Sequence, residues 1–566
     1  MRKVVSKIAR LGQGEGGMVR RLGLVIVAGL VLCLVMVPLV SSKSEALARS
    51  DALLGLSAQA LVGPVSADDP SPVQAKANGA PTGVSAAAHE TAGGGTDASV
   101  AEVDPDPAGV GKALPIVDVD VVVYATQTSG LAAVREMALG APQLRVALIS
   151  CGNLLETPLA QGLSVEDVRN AGHVTGGFYG EWRQTVMRYY SLHGLKAANG
   201  TGRFTYEPEV AAKILWSYVS GSNLPNVQFY SAKLLDAHDG SDGRYVDISV
   251  EGAGDLRLRT KYFIDASVEA DLARMLGADY RIGRAEDVYN DVLGNRPAYP
   301  SSDNGWVTAP QRFSALLTLQ VYSSGKAARV ADLRHPNYDP ASFAGTTFAA
   351  KNVAAFANSW TMKIAVLPKN KRELNESWSD HPDIGWAFQW VFEPDKRGDI
   401  RKQVLQWTIN RARYLQENGY ARVGVATIPQ KLYVREGPRV VGLDTYTVDD
   451  LRSVALRQPV AVGCYCEYDR HDAFYPTHIE TTRYVYMPME ALIAAGHPAL
   501  LVSTAVSTDS AAYCSAVRME HCRANMGAAA AMMVITAAEL GVGLSEVPYE
   551  TVRSRLLDRG YQIPLS

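Results

Sequence analysis

The chain has 566 residues, of which 47% are hydrophobic and 20% are charged, as in ordinary globular proteins. Its 55 Lys and Arg residues nearly balance 58 Asp and Glu residues, which gives a net charge of −3. No basic stripe runs along the sequence, and this argues against nucleic acid as a partner because a phosphate backbone requires clustered cations. The length alone predicts roughly three to four domains.

Residues 1–48 predict a signal peptide or a membrane anchor. Basic residues between Lys3 and Arg21 precede an uncharged apolar run at 22–40, which is close to the ~20 residues that span a bilayer. Ala46-Leu47-Ala48 resembles a small-residue cleavage site, so secretion and membrane anchoring both remain open. Since basic flanks stay in the cytoplasm, we expect the body of the protein outside it.

Residues 49–112 are rich in Ala, Gly, Ser and Pro and contain almost no aromatic residues. Such a segment cannot bury enough apolar surface to offset the entropy lost when it is ordered. We therefore expect a disordered linker here and a folded body that begins at residue 113.

The six cysteines predict neither a disulfide framework nor a metal centre, because their spacing fits no known pattern. Cys464, Cys466 and His471 suggest zinc only if Cys514 and Cys522 complete a tetrahedral site. Buried or free thiols are the favoured interpretation, and no metal is expected.

The body opens with the pattern of a βαβ unit. The β-branched run 118–124 predicts a buried parallel strand, a turn follows at 125–130, and 131–139 predicts a helix. A second apolar run at 144–150 predicts the next strand. Strand, tight turn, helix and strand in this order are typical of a dinucleotide-binding domain.

The rest of the body predicts an α/β domain that is interrupted by an insertion. Residues 283–430 hold most of the Trp residues and the least regular pattern, which predicts an inserted substrate or cap domain of α+β type. The flanking segments 113–282 and 431–566 are then two parts of one Rossmann-like domain. Further strands are expected at 226–231, 244–250, 256–264 and 499–504, and helices at 518–540 and 549–558.

The first turn departs from the dinucleotide-binding pattern. That pattern uses three glycines, for the tight turn, for close approach of the pyrophosphate and for packing of helix on strand. Here the three positions hold Ala125, Gln127 and Gly130, and Ser150 replaces the acid that would bind the ribose. By this motif alone, an ordinary βαβ turn without a nucleotide is favoured.

Six segments carry a family resemblance. They are 124–133 (YATQTSGLAA), 176–179 (GGFY), 263–272 (FIDASVEADL), 432–442 (LYVREGPRVVG), 469–471 (DRH) and 517–520 (VRME). In this order they resemble the FAD-dependent oxidoreductase family, in its often exported bacterial branch. The resemblance covers most of 118–560 and implies a Rossmann-like FAD-binding domain of the glutathione-reductase type, built from discontinuous segments. Departures cluster at Ala125, Gln127, Ser150, Glu156 and Ser503.

The resemblance also implies roles for single residues. Arg435 would position a substrate and His471 would transfer a proton, while Arg435 as a structural partner of Glu436 and His471 as an ordinary histidine remain the alternatives. Asp265 would contact the cofactor or cap a helix. The residues expected to contact FAD are Ala125, Ser129, Gly130, Ser150, Asp265 and Arg518.

The implied function is that of an FAD-dependent oxidoreductase that acts on a small organic or saccharide-like substrate outside the cytoplasm. The alternative is a flavin-free homologue that serves as a binding or structural protein of the cell envelope. It stays open because the departures fall where the cofactor's phosphates and ring would lie, and because a fold can outlast its site.

Overall fold

The computed structural model describes residues 114–152, 154–168, 176–219, 224–284, 310–330, 337–344, 353–375, 379–381, 385–471 and 478–564. The chain divides into two compact units, 1–112 and 113–566, and all the described residues belong to the second. The expected signal peptide or anchor and the expected linker therefore lie outside the described residues. No helix within the described ranges is long and apolar enough to cross a membrane.

The first part of the body contains most of the strands of the main sheet, together with helices. Its strands up to residue 284 are β1 (Ile116–Asp118), β2 (Val121–Tyr124), β3 (Val146–Ser150), β4 (Val227–Gly240), β5 (Gly243–Val250), β6 (Gly254–Arg259), β7 (Tyr262–Asp265) and β8 (Tyr280–Arg281). Its helices are α1 (Thr128–Gly140), α2 (Gly177–Leu192), α3 (Pro208–Val219) and α4 (Asp271–Met275). All the residues of β2 and β3 are buried, as in a parallel sheet that is covered on both faces.

The middle part forms a smaller antiparallel sheet. Its strands are β9 (Thr318–Val321), β10 (Val366–Leu367), β11 (Lys371–Glu373) and β12 (Val423–Thr427), in the order β10-β11-β9-β12. Its helices are α5 (Ala341–Ala344), α6 (Val353–Phe356), α7 (Trp360–Lys363), α8 (Gly385–Phe392) and α9 (Arg397–Glu417). Ile409 and Leu415 of α9 share a buried core with Leu319 of β9. The sheet lies within the expected insertion 283–430, whose boundaries stay a prediction.

The last part returns to the first sheet. Its strands are β13 (Arg439–Val440), β14 (Pro459–Asp469), β15 (His478–Pro488) and β16 (Leu500–Val502). Its helices are α10 (Val448–Ser453), α11 (Ser510–Tyr513), α12 (Glu520–Leu540) and α13 (Tyr549–Asp558). β14 and β15 form a separate antiparallel hairpin.

The main sheet has eight strands in the order β1-β6-β5-β4-β3-β2-β7-β16. The five strands β4, β3, β2, β7 and β16 are parallel, and β16 pairs with β7 although the middle part of the chain lies between them in sequence. The carboxyl ends of β2, β3 and β7 therefore meet at one edge, which brings Ala125, Ser150 and Asp265 together. This arrangement confirms the Rossmann-like α/β fold class.

The expected single strand at 118–124 is wrong in one respect, because the structure divides it into β1 and β2. The amide of Val119 donates to Arg259 in β6, whereas the amide of Asp120 donates to Arg145 before β3. The chain thus changes partner strands between Val119 and Asp120. The Asp120 carboxylate accepts from both the amide and the side chain of Arg145, and this fixes the change.

Helix α12 packs so closely on α1 that its Gly527 is required. A Cβ atom at Gly527 would lie 1.9 Å from the backbone oxygen of Ser129, whereas one at Gly398 in α9 would meet nothing within 4 Å. We expect Gly527→Ala to lower the free energy of unfolding by about 1–3 kcal/mol or more. Gly398→Ala is the matched control and should raise it by up to about 1 kcal/mol. Urea denaturation measures both, and equal effects would contradict the prediction.

Candidate functional site

The turn between β2 and α1 keeps the shape of a dinucleotide turn. Ala125 has φ +78°, a left-handed conformation that costs a residue with a Cβ about 1–2 kcal/mol. A Cβ atom at Gly130 would lie 2.2 Å from the backbone oxygen of Ala125. The third glycine is therefore needed for helix packing, and alanine tolerates the first glycine's conformation at a cost.

A carboxylate of the chain itself accepts a hydrogen bond from the backbone amide in this turn. The amide of Thr126 donates to Oε2 of Glu156 at 3.0 Å, and the amide of Glu156 donates to Oγ1 of Thr126 at 3.0 Å. The other oxygen of Glu156 lies 2.8 Å from Nζ of Lys431. Burial alone would lower the pKa of Lys431, but its pKa is raised because the nearby Glu156 carboxylate stabilises the ammonium.

The hydroxyl groups around the turn are also used within the chain. Ser129 lies 2.6 Å from the hydroxyl of Thr504, and Ser150 lies 3.2 Å from that of Thr126. Thr128, in the first turn of α1, donates to the carboxylate of Glu520, in the first turn of α12. Ser129, Ser150 and Thr128 are fully buried, so none of them presents a free hydroxyl.

Asp265 binds the chain rather than facing a cavity. Its Oδ1 accepts from the amide of Ser267 at 2.8 Å, and its Oδ2 accepts from the amide of Ala273 in α4 at 2.8 Å. Burial raises the pKa of Asp265 to about 7, although these hydrogen bonds oppose the shift. The N-cap position of α4 is Ala270, so Asp265 bonds to the first turn of this helix from the end of β7, and its role at a cofactor stays a prediction.

The other expected site residues meet at a polar cavity of about 450 Å³, a volume within the usual range for small-molecule sites. Arg435, His471 and Arg518 line it, together with the strand residues Tyr465 and Asp469. Of the six residues expected at the cofactor, all of which the structure describes, only Arg518 lines it. The other five line neither this cavity nor a second one of about 300 Å³, and they are Ala125, Ser129, Gly130, Ser150 and Asp265.

Arg435 pairs with Asp380 instead of Glu436. Its NH2 lies 3.2 Å from Oδ1 of Asp380, and its NH1 donates to Oγ of Ser314 at 2.8 Å. The fully buried carboxylate of Glu436 binds Arg439 at 2.9 Å and Arg470 at 2.7 Å. The structure therefore shows no Arg435–Glu436 pair, because each of these two side chains bonds to other residues.

His471 is held between two carboxylates at the cavity wall. Its Nδ1 lies 2.7 Å from Oδ2 of Asp380, and its Nε2 lies 3.5 Å from Oδ1 of Asp469. Burial and Arg435 lower the pKa of His471, but the two carboxylates outweigh them and the pKa is raised. The two carboxylates therefore favour the protonated ring, which the buried Asp380 orients.

Tyr465 links Asp469 to a further acid, Asp167. The hydroxyl of Tyr465 lies 3.2 Å from both Asp167 and Asp469. Burial raises the pKa of Asp167 to about 6, partly countered by Arg203 and Tyr465. Asp469 also binds Arg518, and its pKa is lowered because His471 and Arg518 outweigh the effect of burial.

Two cysteines, Cys464 and Cys466, line this cavity. Cys464 and Cys466 are both buried and form no disulfide bond, and burial raises the pKa of Cys466. A thiol with a raised pKa is a poor nucleophile and a poor metal ligand at neutral pH. Within the described residues, no group of three or more His, Cys, Asp or Glu side chains could hold a metal ion.

Three important residues escaped the sequence reasoning. Asp380 orients His471 from 91 positions away, and no motif surrounds it. Asp167 and Tyr465 are brought together by the β14–β15 hairpin, 298 positions apart. The Cys-Tyr-Cys spacing at 464–466 and the segment 469–471 marked this region, but the first directed attention to the thiols and the second to His471, and neither pointed to Tyr465 or Asp167.

Comparison with known proteins gives a family but no near relative. A family model described as FAD dependent oxidoreductase matches residues 120–556, and no curated protein matches the chain. Similar structures are p-nitrophenol 4-monooxygenase of Pseudomonas putida DLL-E4 (10% identity, 79% of this chain and 85% of that chain, TM-score 0.36) and a geranylgeranyl bacteriochlorophyll reductase-like protein of Thermoplasma acidophilum (11%, 78% and 82%, TM-score 0.32). L-Proline dehydrogenase from P. horikoshii matches at 16% identity and TM-score 0.17. The match covers 28% of this chain and 24% of the dehydrogenase.

The residues at the first turn do not fit the FAD that the family model implies. A dinucleotide phosphate needs free backbone amides at this position, but the amide of Thr126 already donates to Glu156. The carboxylate there would also repel a phosphate. Gln127, at the second glycine position, contributes a buried oxygen that has no hydrogen-bond partner among the described residues, where a donor is needed.

Proposed function

This chain belongs to the FAD dependent oxidoreductase family, and we propose that it binds a small, hydroxyl-rich organic molecule without using the flavin. The observation that carries the proposal is the polar cavity beside Arg435 and His471, with acids, arginines and aromatic rings on one wall. The position of Glu156 at the first turn supports the flavin-free part of the proposal.

The lining of the cavity suggests a neutral ligand such as a monosaccharide. Asp167 and Asp469 offer carboxylate oxygens, which accept hydrogen bonds from sugar hydroxyls, and Arg203 offers donors. Trp360 and Tyr465 offer aromatic faces to the apolar side of a sugar ring. Both acids and arginines line the cavity, so a ligand of strong single charge would meet repulsion from some of these residues.

His471 would hold the ligand by a charged hydrogen bond. Asp380 fixes its Nδ1 side, so its Nε2 side is the one directed towards Asp469 and the cavity. The raised pKa of His471 favours the protonated ring, whose Nε2–H could donate a hydrogen bond to a ligand oxygen. The same geometry would serve proton transfer in an oxidoreductase, which is the second candidate function.

Flavin uptake separates these two candidates. Protein purified without added cofactor is expected to lack the visible absorbance of oxidised flavin, and added FAD should keep its free fluorescence. Saturable quenching of FAD fluorescence by the wild-type chain would contradict the flavin-free proposal and favour the flavoenzyme.

Ligand affinity should depend on the ionisation of Asp167. Binding of glucose, galactose or mannose, measured by calorimetry, is expected to strengthen about tenfold as the pH rises through the pKa of Asp167, because an ionised acceptor adds roughly 1.5 kcal/mol. That pKa is about 6. Asp167→Asn should remove the pH dependence, whereas the exposed Asp255→Asn is the matched control. Absence of binding by all three sugars would contradict the ligand class.

We also propose that the body works outside the cytoplasm, anchored or released by residues 1–48. The basic flank and the apolar run at 22–40 support this. Residues 1–112 fused to a reporter enzyme that needs disulfide bonds should give activity only in the presence of the apolar run. An active fusion that lacks 22–40 would contradict the proposal.

A further inference from the structure

The backbone amide in the turn before α1 bonds to an acidic side chain that lies outside this helix. No acidic residue lies in the first turn of α1, although a helix N-terminus favours negative charge. Instead, Glu156 binds the amide of Thr126 from the loop after β3. Glu520 reaches Thr128 from α12.

Each of these acids has its own cation. Lys431 lies 2.8 Å from Glu156, and Arg523 lies 2.9 Å from Glu520. The side chain of Glu156 is 9% exposed and that of Lys431 is 22% exposed. The turn amide and the Lys431 ammonium thus converge on one anion, and the chain supplies that anion itself.

We propose that Glu156 is an internal ligand whose carboxylate fills an anion site formed by the turn at Thr126 and by Lys431. The left-handed Ala125 and the close contact at Gly130 preserve the turn. The side chain of Glu156 takes the position in which a phosphate group would bind. Removal of the carboxylate leaves a donor and a cation that can accept an external oxyanion. This site is separate from the sugar-binding cavity.

Inorganic pyrophosphate is the probe that tests the internal ligand. The full chain carrying Glu156→Ala is expected to bind pyrophosphate at least tenfold more tightly than the wild type, as measured by calorimetry. Its melting temperature should rise with pyrophosphate but not with sodium chloride of equal ionic strength. The wild type should show neither effect, because Glu156 already occupies the site.

Two further variants exclude a general effect of charge. Glu156→Ala combined with Lys431→Met should lose the gained affinity, because the cation is then absent. Glu539→Ala removes the acid of an exposed ion pair between Glu539 in α12 and Arg555 in α13, and it should gain no affinity. If Glu156→Ala fails to fold, Glu156→Gln keeps an acceptor for Thr126 and should show a smaller gain.

The inference is overturned if the wild type binds pyrophosphate as tightly as the Glu156 variants, or if neither Glu156 variant gains affinity over the wild type. Equal gains in Glu539→Ala would also overturn it. Failure of the sugars to bind the polar cavity would leave this result unchanged. Within the described part of the chain, the hydrogen bonds of Glu156 join it to Thr126 and Lys431, and not to Arg435, His471 or Asp167.

Discussion

Glu436→Gln is expected to lower the free energy of unfolding by about 3–5 kcal/mol, because removal of one partner from a buried ion pair leaves charge uncompensated. The Glu436 carboxylate is fully buried between Arg439 and Arg470, which are themselves almost fully buried. Glutamine keeps the shape and one acceptor oxygen. It removes the negative charge that two guanidinium groups share.

The measurement is equilibrium urea denaturation, followed by a probe of tertiary structure. Glu417→Gln is the matched control, since Glu417 forms an exposed ion pair with Arg413 one helical turn away. Exposed pairs of this kind contribute about 0.3–0.5 kcal/mol. A loss below about 1 kcal/mol for Glu436→Gln would contradict the buried network, because it would mean that water reaches the two arginines.

This network explains why Arg435 and Glu436 have separate roles. Glu436 ties the 432–442 segment to Arg470, directly before His471. Arg435 points to Asp380, which orients the ring of His471. The motif therefore places one side chain in the structural core and the adjacent one at the cavity wall.

The fold was predictable because its evidence is local. Buried β-branched runs identify β2 and β3, and Gly130 is needed for packing of α1. The division of 118–124 into two strands was not predictable, since it depends on which distant segment accepts the hydrogen bond of each backbone amide. Val119 bonds to Arg259 and Asp120 bonds to Arg145, and neither partner is visible in the local pattern.

The candidate site was predictable only in part. The resemblance identified Arg435, His471 and Arg518, and the structure brings these three to one cavity. It also placed Ser129, Ser150 and Asp265 at a cofactor, but these residues bond to the chain itself. A motif records residue identity at a position, whereas the partner of each polar group is decided by long-range packing. The roles of these residues in function stay predictions.

Acid should destabilise this protein through His521. We expect this histidine to lower the free energy of unfolding by roughly 1.4 kcal/mol for each pH unit below about 6. His521 lies in the first turn of α12 and is 2% exposed. Burial lowers its pKa from 6.5 to about 3.

The sign of the effect follows from the proton balance between the two states. Between pH 6.5 and about 3 the unfolded chain binds a proton at this residue and the folded chain does not. The stabilising contribution is therefore complete above pH 6.5 and is lost as the pH falls towards 3. The amide of Cys464 donates to Nε2 of His521 at 3.1 Å, so protonation of that nitrogen would also break a buried hydrogen bond.

Other buried groups oppose this slope, so a matched variant is needed to isolate it. Burial raises the pKa values of Asp265 and Glu373 to about 7, and acids with raised pKa values favour the folded state at lower pH. His521→Gln keeps an acceptor for Cys464 but cannot be protonated. The free energy of unfolding of this variant, measured by urea denaturation across the acid range, should fall less steeply than that of the wild type.

His193→Gln serves as the control, because His193 is exposed at the end of α2 and bonds only locally, to the backbone oxygen of Tyr189. Its acid slope should match that of the wild type. Equal slopes for the wild type and His521→Gln would show that His521 is protonated in the folded chain. That outcome would mean that water enters between α12 and β14, where Cys464 lies, and that the first turn of α12 is less closely packed than its buried residues indicate.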